Sequence, residues 1–132
     1  MTAYTDTSGF LALLDVGDEH HAVARDAWRD LVLGEVSLVC NNHVLVECLA
    51  LLQHRLGLAA VKAFQDDVVP LLTVEWLDES DHQAGVSALL TANRRTLSLV
   101  DCTSFETMRR RGIPTAFTLD RHFAEQGFEC VP

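Results

Sequence analysis

Short apolar runs, several of them β-branched, alternate along this chain with longer stretches of helical periodicity. The runs occupy residues 3–5, 36–40, 71–77, 96–100, 115–119 and 128–131. Between them lie helical stretches, among them residues 42–56, 58–69 and 101–111. Strands that take turns with helices are joined by crossovers that pass over a sheet face, so the pattern predicts a parallel sheet. The expected fold class is α/β: a three-layer α/β/α domain with a central parallel β-sheet and right-handed crossovers. A chain of 132 residues without repeats, low-complexity segments or linkers reads as one domain spanning 1–132.

Punctuation supports the segmentation. Gly34 stops the helix that carries Ala24, Ala27, Trp28, Leu31 and Val32, and Asp18 is a good residue to cap its start. Asn41 and Asn42 stand where the next helix needs a cap. Gly57 and Gly112 end helices, and Pro70 and Pro114 lie where chain direction changes. Asp78 to Asp81 place acids at a helix N-terminus, where they complement its dipole.

In doubly covered parallel sheets, ligands bind beyond the carboxyl ends of the strands, near the point where strand order reverses. Three aspartates are predicted at such ends: Asp6 after the first run, Asp101 after the fourth and Asp120 after the fifth. Each is open to a second reading, because an aspartate between a strand and a helix also serves as an N-cap. Glu47 is different. It sits in mid-helix among Val44, Leu45, Val46, Leu49, Leu51 and Leu52, a segment apolar nearly all round and so expected to be buried. Capping does not explain it; a cation, an arginine partner or a bound proton would.

Four carboxylates drawn together cannot all remain ionised without compensation, and a divalent cation supplies it. Cys40, Cys48, Cys102 and Cys130 form no C-x-x-C pair and read as reduced, buried thiols. The six histidines show no zinc-ligand spacing; His122 alone is expected near the acids, as a solvated loop residue. An oxygen-only donor set favours Mg²⁺ or Mn²⁺. Thr103 and Ser104, just after Asp101, are read as hydroxyls that orient phosphate or bond backbone in the first helical turn.

The net charge of -9 argues against broad nucleic-acid affinity, but Arg94, Arg95, Arg109, Arg110, Arg111 and Arg121 cluster around the last two acids. Arg121, next to Asp120, is the candidate for substrate positioning. No apolar run is long enough to cross a bilayer and the N-terminus lacks a signal-like core, so a cytoplasmic protein without membrane partners is expected.

Taken together, Tyr4-Thr-Asp6-Thr-Ser8, the segment Val44 to Leu52 around Glu47, Ser98-Leu-Val-Asp101-Cys-Thr-Ser104-Phe105 and Thr118-Leu-Asp120-Arg-His-Phe123 resemble the PIN-domain ribonucleases. Within them the likeness is to bacterial toxins of the VapC type, and it covers essentially the whole chain. The resemblance implies a Mg²⁺- or Mn²⁺-dependent endoribonuclease with a catalytic and metal-binding quartet at Asp6, Glu47, Asp101 and Asp120. It also implies a tRNA or rRNA substrate, a homodimer, and a small antitoxin as partner in a type II toxin–antitoxin system. The alternative is a PIN-fold module that binds RNA or protein without cutting. A phosphoacceptor signalling domain, which also gathers acids at strand ends, fits poorly: Thr7 stands where a second acid would, and the single lysine, Lys62, lies in a helix.

Overall fold

A computed structural model describes all residues, Met1–Pro132. Five strands, β1 (Thr2–Thr5), β2 (Ser37–Asn41), β3 (Leu72–Glu75), β4 (Thr115–Phe117) and β5 (Glu129–Val131), form one sheet in the order β3-β2-β1-β4-β5. Every neighbouring pair is parallel. From β1 the chain adds strands on one side, then crosses back to add β4 and β5 on the other, so the order reverses between β1 and β4.

Helices α1 (Thr7–Leu14) and α2 (His21–Leu33) join β1 to β2, and α3 (Asn42–Leu56) and α4 (Leu58–Ala63) lead towards β3. Helices α5 (Glu79–Ala92) and α6 (Leu99–Arg111) lead to β4, and α7 (His122–Glu125) to β5. After α4 the coil widens to a π turn at Phe64–Val68 and tightens to a 3₁₀ turn at Val69–Leu71, where Pro70 fits the first positions.

Aromatic side chains mark the two covered faces. Neighbouring residues in register share a face and successive residues alternate. Phe117, in register with Thr5, packs with Phe10 of α1, Trp28 of α2 and, through Phe10, Phe64. Tyr4, one residue earlier, faces the opposite side with Phe123, which meets Phe105 of α6 and Phe128. Each face thus has its own aromatic cluster, with Phe10, Phe64 and Phe117 buried on one side and Tyr4, Phe105 and Phe123 on the other.

Two sequence expectations need correction. Residues 96–100 form no strand: Ser98 caps α6, its Oγ accepting from Asp101 N at 3.0 Å while Asp101 Oδ2 accepts from Ser98 N at 3.0 Å. This reciprocal capping box outweighs three apolar residues in a run of five. The turn between α5 and α6, with Asn93 left-handed at φ 51°, also leaves no length for a strand. Helix α3 is not buried all round either. Val44, Leu45, Cys48 and Leu52 face the core, but Val46 is 67% exposed and Glu47 half-buried. A smaller correction concerns Asp18, whose carboxylate accepts from His20 N and shapes the turn before α2 instead of capping the helix.

The capping box carries a prediction. Ser98→Ala should cost about 1 kcal/mol of stability in urea unfolding, the usual worth of an N-cap. Loss of a stability difference would mean that packing alone sets the start of α6.

Candidate active site

Asp6, Glu47, Asp101 and Asp120 come together in one crevice of about 210 Å³, lined also by Thr7, Ser8, Leu11, Leu51 and Ser98. It lies beyond the carboxyl ends of β1 and β4, where strand order reverses. A larger, apolar groove of about 560 Å³ lies elsewhere, along α2 with Met1, Val36 and Val131. It holds Asp26 and Asp30 but none of the four converging acids, so chemistry rather than size singles out the smaller crevice.

Each aspartate reaches the crevice by a different local device. Asp6 caps α1 in extended backbone, and its Oδ2 accepts from Ser8 N at 3.3 Å, Ser8 Oγ at 2.7 Å and Thr118 Oγ1 at 3.0 Å. Thr118 Oγ1 in turn accepts from Asp120 N at 3.0 Å, and Ser8 Oγ from Leu119 N at 2.9 Å. Two hydroxyls therefore lock the loop after β1 to the loop after β4. Asp101 stands in the first turn of α6, and its Oδ2 is held by Ser98 N. Asp120 Oδ1 accepts from His122 N at 2.9 Å.

Capping and site-building are thus compatible readings of the same aspartates. Local backbone bonds occupy one oxygen of each carboxylate: Oδ2 of Asp6 as the cap of α1, Oδ2 of Asp101 in the capping box of α6, and Oδ1 of Asp120 in the turn before α7. The second oxygen of each makes no hydrogen bond. Glu47 reaches the crevice from α3 and has no arginine partner, which removes the buried-ion-pair reading.

The carboxylates feel one another. Burial pushes Asp6 up to about 6, against the bonds from Ser8 and Thr118, with the Asp101 charge adding to the rise. Burial also raises Glu47, reinforced by the Asp101 and Asp120 charges. Asp101 is raised by burial and by Asp120, against the Ser98 hydrogen bonds. The buried Thr7 Oγ1 has no hydrogen-bond partner. Crowded acids with raised pKa values and uncommitted oxygens fit a hard divalent cation, which prefers oxygen donors.

His122 departs from expectation. It is only 9% exposed, and its Nδ1 lies 2.7 Å from Asp120 Oδ1, off line for a hydrogen bond. Its nitrogen and one oxygen each of Asp101 and Asp120 lie within 4.8 Å of one another. The ring thus lies against Asp120 at the edge of the acid cluster. Its sequence signal was only its place two residues after an acid.

Thr103 and Ser104 do not line the crevice. Ser104 is fully buried, and its Oγ accepts from Tyr4 Oη at 2.9 Å, tying β1 to α6. Thr103 Oγ1 donates to Val100 O at 3.1 Å while its methyl faces Gly85 of α5. Both hydroxyls hold the scaffold that aligns Asp6 with Asp101. Asn41 acts likewise, accepting from Val44 N and donating to Thr107 Oγ1 of α6, which registers α3 against α6. Ser8, Thr7, Ser98 and Thr118 are the site hydroxyls that sequence reasoning did not single out. Hydroxyl residues this common are recognised only when the loops are seen together.

The arginines divide. Arg110 and Arg111 pair with Glu75, and Arg110 also approaches Asp81 at 3.7 Å. Arg109 donates to Gln126 and lies over the Phe128 ring at 5.4 Å. These three sit at the far end of α6 from Asp101. Arg94 pairs with Glu125 at 3.1 Å, and Arg121, beside Asp120, lies 3.9 Å from Glu125 with its side chain 81% exposed.

A parallel sheet with acids gathered at its switch point, and a carboxylate contributed from the helix after β2, defines an α/β domain with an acidic oxygen-donor crevice. Residues 3–129 match the family model of the PIN domain, and the chain belongs to that family. A 23S rRNA-specific endonuclease, VapC20 of Mycobacterium tuberculosis (strains CDC 1551 / Oshkosh and ATCC 25618 / H37Rv), is 33% identical over 126 residues. That match covers 95% of this chain and 94% of the relative. The crystal structure of Mycobacterium tuberculosis VapC20, described as a Sarcin-Ricin loop cleaving toxin, superimposes with a TM-score of 0.86 at 30% identity. It covers 99% of this chain and 100% of the other.

Proposed function

We propose that this protein is an endoribonuclease that hydrolyses RNA phosphodiester bonds with Mg²⁺ or Mn²⁺, acting as the toxin of a type II toxin–antitoxin pair. The observation that carries the reading is the convergence of four carboxylates from four elements, each with an uncommitted oxygen, in one open crevice. The likeness to VapC20 supports a structured ribosomal RNA loop as the substrate class ahead of tRNA. A small antitoxin, a homodimer and a cytoplasmic location belong to the same proposal. The non-catalytic alternative is the weaker one, since none of the four acids is missing.

In this reading Asp6, Asp101, Asp120 and Glu47 would hold the cation. When bound, it offsets the charge developing on the phosphate and lowers the pKa of water. The protein does the rest by position. Ser8 and Thr118 fix Asp6 Oδ2, so that Oδ1 is the atom turned to the ligand. Ser98 does the same for Asp101, and the His122 backbone for Asp120. Glu47, half-exposed and bound by no backbone donor, would complete the oxygen donor set from α3.

The test is cleavage of an rRNA hairpin by purified protein. EDTA should abolish cutting and added Mg²⁺ or Mn²⁺ restore it. Asp101→Asn should lower turnover about 100-fold or more, the scale of losing one preorganised electrostatic group. Undiminished cutting in EDTA or by the variant would overturn the assignment.

A further inference from the structure

A second groove, of about 250 Å³, abuts the acidic crevice and shares Glu47 with it. Its other walls are His43 and Val46 of α3, His82 of α5, and Leu99 and Val100 of α6. Its exposed surface is almost wholly apolar although it opens beside four acids. Val46 shows 67% of its surface to solvent one helical turn after His43, and the fold gains nothing from that exposure.

The two imidazoles meet edge to face, with centroids 5.3 Å apart and planes at 77°, and His82 Nδ1 lies 3.5 Å from His43 Nε2. Neither ring is paired with a carboxylate. The backbone beneath them is pinned, because Asn42 Oδ1 accepts from Leu77 N at 2.6 Å and ties the start of α3 to the segment leading into α5. A transition-metal site is poorly served: no third histidine, cysteine or acid comes within mutual ligand range of the two nitrogens, and such sites take three or four protein ligands. Flat aromatic faces, ring nitrogens that donate or accept, and an aliphatic wall are instead what an unstacked nucleobase requires.

We propose that this groove is a nucleobase subsite: the base beside the cleaved phosphate lies against His43 and His82 while the phosphate occupies the acidic crevice. The subsite rests on the endoribonuclease reading and extends it, since a base held next to Glu47 selects which phosphodiester is cut. Stacking supplies affinity for any base, and the ring nitrogens discriminate among base edges.

The experiment compares wild type with His43→Ala, His82→Ala, the double variant and His82→Phe. The substrates are an rRNA hairpin and copies carrying one abasic nucleotide on either side of the cut bond. Each alanine should lower kcat/KM about 10- to 100-fold, the range that one base–aromatic stack supports. His82→Phe, which keeps a stacking face, should recover much of the rate but relax the base preference. An abasic nucleotide on one side of the cut should penalise wild type by a similar factor and the double variant no further. Full kcat/KM with an unchanged cut position in the double variant, or additive histidine and abasic losses, would overturn the subsite. If Asp101→Asn abolishes cutting while the histidine variants cut normally, the subsite alone fails. If wild type cuts no RNA with either cation, both readings fail.

Discussion

Asp6→Asn should all but abolish RNA cleavage and at the same time stabilise the metal-free protein at neutral pH. The amide oxygen can take the place of Oδ2 and still accept from Ser8 and Thr118, so the loop lock survives. What disappears is a buried negative charge. The carboxyl sits at about 6 in the folded chain against 3.8 for the unreacted group, so the folded state holds its proton more tightly than the unfolded state. Stability of the metal-free protein is therefore highest at low pH as far as this group is concerned. It falls as pH rises through the window between about 4 and 6. Glu47 and Asp101, both raised, act in the same direction. Removing the charge should return roughly 1–3 kcal/mol at pH 7. Urea unfolding in EDTA at several pH values measures it directly. The variant should also lose most of the stabilisation that Mg²⁺ confers on wild type, because ligand binding stabilises only a site that binds. A metal-free Asp6→Asn protein less stable than wild type at pH 7 would show that the buried charge is not the source of strain.

The second large effect concerns a residue with no side chain. Gly9 lies in the first turns of α1 directly over β4, and a Cβ there would stand 2.6 and 2.7 Å from two ring carbons of Phe117 and 3.0 Å from its carbonyl oxygen. The ring cannot swing aside, since it is fully buried between Phe10 and Trp28. The same carbonyl accepts from Asp6 N at 3.1 Å, so any shift is passed to the loop that carries Asp6. Gly9→Ala should cost about 3 kcal/mol and lower the melting temperature by roughly 10 °C. It should also depress kcat well below the melting range, by pulling Ser8 out of register with Thr118. Gly112→Ala is the useful comparison. There nothing lies within 4 Å of the added methyl, and only the left-handed backbone at φ 64° resists. Its cost should be near 1 kcal/mol with kcat unchanged. A Gly9→Ala protein that melts with wild type would mean that α1 can lift from β4 without loss.

Much of this architecture was legible because its causes are local. A parallel sheet follows from strands spaced too far apart for hairpins, and Gly34, Gly57 and Gly112 end helices for reasons contained in a few residues. The misread stretch is instructive. Leu97, Leu99 and Val100 suggest a strand by composition, but Ser98 and Asp101 satisfy each other's backbone amides and begin a helix instead. Periodicity cannot arbitrate over five residues, and reciprocal capping can. Helix α3 shows the opposite failure. Its apolar content was read as burial, whereas Val46 faces the groove beside the acids.

The four acids were identifiable from the chain because each occupies a position that topology sends to one edge of the sheet. Their surroundings were not. His122 could only be recognised as a buried neighbour of Asp120, and Ser104 as a strut to Tyr4, once β4, α6 and β1 were in place. The arginine cluster likewise looked like a single basic patch, yet α6 carries Arg109, Arg110 and Arg111 away from the site to Gln126 and Glu75.

By itself, then, the sequence determined the fold class, the glycine stops of three helices and the convergence of the four carboxylates, since these follow from periodicity, helix-stop chemistry and topology along the chain. Only the tertiary structure decided which oxygen of Asp6 is tied into the fold and which is free for a cation. That choice depends on Ser8 meeting Thr118 across 110 residues of chain, at a strand order that no local interaction encodes.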